Sequence, residues 1–241
     1  MPEIAMIAAL KREVWPLVKD WRTSDREYSG KHYRFFENEN CIVVCGGIGS
    51  EAARRATEAV IALYKPHTVW SVGFAGALDQ CMRVGELLEA RCVVDASDGS
   101  RVDVANGAGV LVSFSSVAGE KQKSRLAKAY GAQAVDMEAA SVAKGAQAHG
   151  LTFAAVKVIS DEAGFPMPSM ERFTGKDGKF RSASFALYGV LRPWLWGTMM
   201  QLARNSAKAA RALCEHLNKS VSRKRVDEPS ISRAATKDSI R

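Results

Sequence analysis

Residues 153–160 read FAAVKVIS, and Asp161 follows at once. The run is apolar apart from Lys157 and shows no period-two alternation, the mark of a strand buried on both faces. Similar runs lie upstream. IAMIAAL at 4–10, CIVVC at 41–45, TVWSV at 68–72 and GVLVSFS at 109–115 all read as strands. Helical stretches separate them, from Ser50 to Tyr64, Glu120 to Tyr130 and Glu138 to His149. Strands alternating with helices predict an α/β fold of three layers, α/β/α, with a twisted sheet covered on both faces. Tyr33–Phe36 and Cys41–Cys45 flank the polar ENEN and predict a hairpin. Val84–Ala96 alternates in part, so the sheet is expected to be mixed, though mostly parallel. The glycine clusters Gly46–Gly49 and Gly73–Gly76 read as turns closing strands. A long helix is expected from about Ser182 to about Leu217, kinked at Pro193.

The 241 residues carry 34 Lys plus Arg against 26 Asp plus Glu, a formal charge of +8. With 47% hydrophobic residues the chain can bury a core, so disorder of the whole is excluded. No linker divides the body, which predicts one domain over 1–217. The segment 218–241 holds seven basic residues against three acids, half of the excess, with no aromatic residue. It reads as a disordered basic tail. The chain lacks RNP, zinc-finger and helix-turn-helix signatures, so nucleic-acid binding is not expected. Five cysteines without a CxxC pair and four scattered histidines predict reduced thiols and no metal site. No cofactor motif is present, since neither glycine cluster fits GxGxxG or a Walker loop. The N-terminal MPEIAMIAALKREVW has no basic leader, and no apolar stretch reaches the about 20 residues that span a bilayer. A cytoplasmic protein is expected.

In an open α/β sheet, ligands bind beyond the carboxyl ends of the strands. Three acids fall at such positions: Glu13 after the first strand, Glu138 after Ala134–Met137, and Asp161 after 153–159. Singly, each has an ordinary reading. Glu13 and Glu138 fit first-turn helix acids, and Asp161 fits an N-cap. Converging on one cleft, they equip it for acid–base work on a substrate with a leaving group.

Six segments in order carry a resemblance. EIAMIAALKREVWPL, VVCGGIGSEAA, VGFAGAL, MRVGELL, AVDMEAASVA and VKVISDEAG, spread from Glu3 to Gly164, resemble the nucleoside phosphorylase and nucleosidase superfamily. The likeness is greatest to methylthioadenosine/S-adenosylhomocysteine nucleosidases and to the hopanoid-associated phosphorylases. It implies that Asp161 protonates the purine at N7, with Ser160 orienting its carboxyl group. It implies that Glu138 holds the ribose hydroxyls while Met137 packs on the sugar, and that Glu13 activates the attacking water. By the same likeness Gly73, Phe74, Ala75 and Gly76 border the sugar and nucleophile, and Val117 and Ala118 border the base. The physics of the reaction fits that division. The transition state gains positive charge on the sugar and negative charge on the base, and acids on both sides answer both changes. For Asp161 to hold a proton at neutral pH, desolvation is the simplest expected cause.

The resemblance also bears on the nucleophile. Phosphorolytic relatives have an arginine where this chain has Glu13 and another near Ser71, and a hydroxyl residue where it has Phe74. An acid and an aromatic ring disfavour a phosphate dianion, so water is the expected nucleophile. Lys11, Arg12 and Lys157 keep phosphorolysis open as the alternative, and a nucleoside-binding module without activity is the non-enzyme alternative.

Beyond Gly164 the chain departs from the short nucleosidases. The stretch 185–202 is rich in Trp, Met and Leu. Its ordinary reading is a core or dimer-interface helix. Its sharper reading is an apolar mouth for a greasy 5′ substituent such as a hopane, or a patch resting on the inner face of a membrane. The expected partners are a small-molecule nucleoside and further copies of the chain, as a homodimer or larger homo-oligomer.

Overall fold

The computed structural model describes residues 2–105, 107–166 and 196–227, with side chains up to 221. Ten strands form one sheet. They are β1 (Ile4–Ala8), β2 (Arg22–Tyr28), β3 (Lys31–Glu37), β4 (Cys41–Cys45), β5 (Thr68–Ala77), β6 (Leu87–Asp95), β7 (Arg101–Asp103), β8 (Gly109–Ser113), β9 (Ala134–Asp136) and β10 (Thr152–Asp161). The described helices are α1 (Lys11–Val18), α2 (Ser50–Tyr64), α3 (Glu120–Tyr130), α4 (Ala139–Ala148) and α5 (Trp196–Asp227).

β5 is the hub. Its first half pairs in parallel with β1, from Ile4 opposite Thr68 to Ile7 opposite Ser71. Its end pairs antiparallel with β9, Gly76 opposite Val135. Along its other edge it pairs in parallel with β10. β10 continues through β6 and β8 to β9, so five strands close into a ring. β1, β4, β3 and β2 extend the sheet outward from β5. The expected three-layer α/β fold with a mixed sheet is present. α1 and α5 bury Val14, Val18, Leu213 and Leu217 against one face, on Met6, Val43 and Val72. α2 and α4 bury Val60 and Val142 against the other, on Ile7, Ile42 and Val69. α3 lays Leu126 on Val94 and Val112 of the ring.

Two sequence expectations need correction, and one strand went unread. Gly73–Gly76 does not form a turn: β5 runs through it to Ala77, because β10 pairs with it residue for residue as far as Ile159 opposite Ala75. β2 was not expected, since RTSDREY carries no apolar alternation. It is an exposed edge strand held to β3 by cross-strand charges, with Arg34 Nε donating to Asp25 Oδ1 at 2.8 Å. Finally, the last helix does not stop near Leu217. α5 continues to Asp227, ten residues into the segment expected to be a disordered tail. Leu213, Leu217 and Val221 stand four apart and continue one stripe onto the core, which the surrounding Lys and Arg residues disguise. The stretch Ser182–Leu195, with Pro193 and Trp194, lies outside the described residues.

Candidate active site

The carboxyl ends of β1, β5, β9 and β10 meet at one cavity. It is lined by Glu13, Glu138 and Asp161, the three acids singled out in the sequence. Ser160 and Met137 line it beside them, as do Phe74, Ala75 and Gly76. Val117 and Ala118 close the side next to α3. Gly73 is the exception and lies behind Glu13: a Cβ there would stand 2.6 Å from Glu13 Oε2, and its φ of +142° disfavours any other residue.

Local structure explains why these side chains converge. β10 pairs Ile159 with Ala75 but Asp161 with Gly76, so Ser160 is an extra residue, a β-bulge. In a regular strand Ser160 and Asp161 would face opposite sides; the bulge lets both line the cavity. Ser160 Oγ donates to Asp161 Oδ1 at 2.7 Å. The second carboxylate oxygen, Oδ2, accepts a short hydrogen bond from Lys123 Nζ, and Lys123 also donates to the Glu162 carbonyl at 2.7 Å. Lys123 and Asp161 are both buried. Desolvation was the simplest expected reason for Asp161 to hold a proton; the structure also sets the buried Lys123 against its carboxyl group.

Lys123 went unrecognised in the sequence, inside the polar helix EKQKSRLAKAY. The available signal was its spacing. Lys123, Leu126 and Tyr130 fall three and four apart, on the stripe that α3 turns toward the ring.

Glu138 caps the start of α4. Its Oε1 accepts the Gly49 N–H at 2.7 Å and its Oε2 the Met137 N–H at 3.2 Å. Gly46–Gly49 thus supplies a backbone donor to an acid 89 residues away. Asp136, also missed in the sequence, anchors the same corner. Its Oδ1 accepts Ser113 Oγ at 2.6 Å, and its Oδ2 accepts the Ala139 N–H at 2.9 Å. Lys157 Nζ lies 3.0 Å from Asp136 Oδ2, with both side chains fully enclosed. Lys157, counted as a spare cation in the sequence, is therefore committed to a carboxylate.

Glu13 stands in the first turn of α1, only 4% exposed. α5 fixes that turn, with Cys214 Sγ donating to the Glu13 carbonyl at 3.5 Å. Burial, reinforced by the nearby Glu138 charge, raises its pKa to about 7. Burial and the Asp136 charge likewise raise Glu138 to about 7. Lys157 opposes both shifts. Glu13 Oε2 is buried with no hydrogen-bond partner among the described residues. A buried acceptor left unpaired in this way is costly to the folded state.

Gly76 is the tightest point of the wall. A Cβ there would stand 2.9 Å from Asp161 Oδ2 and 3.1 Å from Lys123 Cε. Gly76→Ala should displace the Lys123–Asp161 pair and lower kcat by about 100-fold, as sub-ångström to ångström misplacements do. Steady-state kinetics beside a thermal melt check this; unchanged kcat would contradict the account of Gly76.

Among the described residues no group of His, Cys, Asp and Glu has the geometry of a metal site. A second, apolar groove of about 690 Å³ adjoins the cavity between α1 and α5. The two share Arg12, Phe74, Leu202 and Ser206. Trp15 and Met199 line the groove, with Lys11 and Arg211 at its margin. Lys11 Nζ sits 4.0 Å from the centre of the Trp15 ring.

Comparison with known proteins gives the family. The sequence model of the phosphorylase superfamily matches residues 2–107 and 97–188. The 5′-methylthioadenosine/S-adenosylhomocysteine nucleosidase of Staphylococcus aureus is 26% identical, over 72% of this chain and 92% of its own. The crystal structure of the Helicobacter pylori nucleosidase of the same name, with butyl-thio-DADMe-Immucillin-A, superposes with a TM-score of 0.68 at 20% identity. It covers 92% of this chain and 99% of that one. Futalosine hydrolase of the same organism gives 0.68 at 19% identity, covering 92% and 98%. The matched family model spans most of the chain and the acids gather where its strands end, so the protein is an enzyme belonging to the phosphorylase superfamily.

Proposed function

We propose that the protein cleaves the N-glycosidic bond of an adenosine-type nucleoside, with water attacking C1′ and adenine leaving. The observation that carries this is Glu13, a buried acid in the cavity wall with its pKa raised to about 7. A carboxylate poised there is matched to accept a proton from water at neutral pH. The wall favours water over phosphate: Glu13, Asp136, Glu138 and Asp161 line it, against Arg12 and Lys123. Lys123 and Lys157 are each already paired with a carboxylate. A phosphate dianion would enter a surplus of acids. In this reading Asp161 serves the leaving base, Glu138 and Met137 hold the ribose, and Val117 and Ala118 border the adenine. These assignments rest on the motif resemblance and on the shared cavity.

The 5′ substituent is proposed to be large and apolar, as in adenosylhopane. Its support is the groove that continues the cavity past Phe74 and Leu202. The groove lies beside exposed apolar residues: Trp15 is 42%, Trp196 57% and Met200 56% exposed. Lys11, Arg12 and Arg211 line the groove with Trp15, which suits an anionic membrane surface at the inner face. No described helix is long and apolar enough to cross a membrane. Assembly into a homodimer or larger homo-oligomer is part of the same proposal and is read by sedimentation.

The experiment compares adenine release from methylthioadenosine and from an adenosine carrying a long apolar 5′ group. Higher kcat/KM for the second supports the groove assignment; preference for methylthioadenosine makes the protein a general nucleosidase. In parallel, Trp15→Ala/Trp196→Ala should weaken binding to anionic lipid vesicles by about tenfold or more, the loss expected for indoles no longer buried in the interface. Unchanged vesicle binding would remove the membrane contact.

A further inference from the structure

We propose that Lys123 is the source of the proton that ends on the leaving base, passed through Asp161. This rests on the nucleosidase reading above and assigns a residue that the family motifs do not mark.

Asp161 and Lys123 line the same cavity, and each is almost wholly removed from solvent. Asp161 has both oxygens occupied as acceptors, by Ser160 Oγ and by Lys123 Nζ. A carboxyl group that faces a lysine ammonium is placed to receive a proton from it. The proton available within contact distance is on Lys123. A buried ion pair is also a poor stabilising device, since desolvation of both charges offsets their attraction. Placed in a cavity wall, such a pair is better suited to moving a proton.

The step balances as follows. The C1′–N9 bond breaks and its electron pair enters the purine, raising the basicity of N7. Asp161 takes a proton from Lys123 and passes it to N7, so the carboxylate is restored and the lysine becomes a neutral amine. Water adds to C1′ and loses its proton to Glu13. That proton leaves through solvent, and Lys123 regains one from the same source. The net change is one water consumed, with neutral adenine and a free sugar hydroxyl formed.

The test compares the pH profiles of kcat/KM for adenine release by wild type, Lys123→Met and Lys123→Arg, with folding followed by thermal melts. Lysine can surrender its proton, whereas a guanidinium cannot. Lys123→Met should lose on the order of 10²–10⁴-fold at pH 8, the usual worth of a positioned acid. The deficit should shrink toward pH 5, where hydronium can stand in for the lysine as the proton source. Lys123→Arg keeps the charge beside Asp161 and should not rescue the rate at pH 8. A deficit equal at every pH, or full activity of the arginine variant, would overturn the assignment and leave Lys123 a purely structural partner. If the methionine variant fails to fold, the arginine variant decides alone: folded and slow at pH 8 supports the proton source, folded and fast overturns it. Absence of adenine release by wild type would instead overturn the nucleosidase reading, and the proton assignment with it.

Discussion

Asp161→Asn is expected to lower kcat for adenine release by about 10²–10⁴-fold, the range for removing a positioned general acid. The amide keeps the shape of the carboxyl group and can still accept from Ser160 or Lys123, so the cavity should survive. It cannot relay a proton to N7. The loss should therefore fall on kcat, with adenine binding by calorimetry nearly unchanged. The variant also leaves Lys123 without its countercharge in a buried site, where an unpaired charge costs several kcal/mol at the upper end (about 3–5). A fall in melting temperature should accompany the loss of rate. Wild-type turnover in this variant would remove Asp161 from the proton transfer to the base.

Glu13→Gln should separate activity from stability in opposite directions. Without a carboxylate to take the proton of water, kcat should again fall by about 10²–10⁴-fold. Stability should change differently. In the folded chain Glu13 holds its proton up to about pH 7, against 4.5 for the ordinary carboxyl group. Between those values the folded state binds more protons than the unfolded one, so stability falls as pH rises and levels off above about 7. The glutamine variant removes that dependence. Its melting temperature should match wild type near pH 4.5 and exceed it at pH 8. Glu138 contributes a slope of the same sign, because its pKa is raised to the same region, so the variant should flatten the curve without abolishing it. Equal melting temperatures at pH 8 would mean that ionising Glu13 costs nothing, contrary to its burial.

Much of this was legible in the residues. FAAVKVIS reads as a doubly covered strand, and IAMIAAL and CIVVC read in the same way. The three acids were legible because each stands shortly after an apolar run. Other features depend on contacts that no short window contains. Gly73–Gly76 has the composition of a turn, and only the pairing of β10 against it holds it extended. The bulge at Ser160 appears only as a change of register with β5. Lys123 sits in a helix that is polar on most sides, and its pairing spans 38 residues. Asp136 was hidden beside the more conspicuous Glu138 in VDMEAA, although it holds Lys157. The end of α5 was misjudged for the opposite reason: local charge suggested a tail, while a single apolar residue per turn, Leu213, Leu217 and Val221, sufficed to keep the helix on the core.

Oxygen-18 tracing tests the central claim most directly. With an adenosine-type nucleoside in H₂¹⁸O, adenine release should proceed at the same rate with and without phosphate, and the sugar product should carry one ¹⁸O at C1′. Release that depends on phosphate and yields a sugar 1-phosphate would contradict the account of Glu13 as the partner of water.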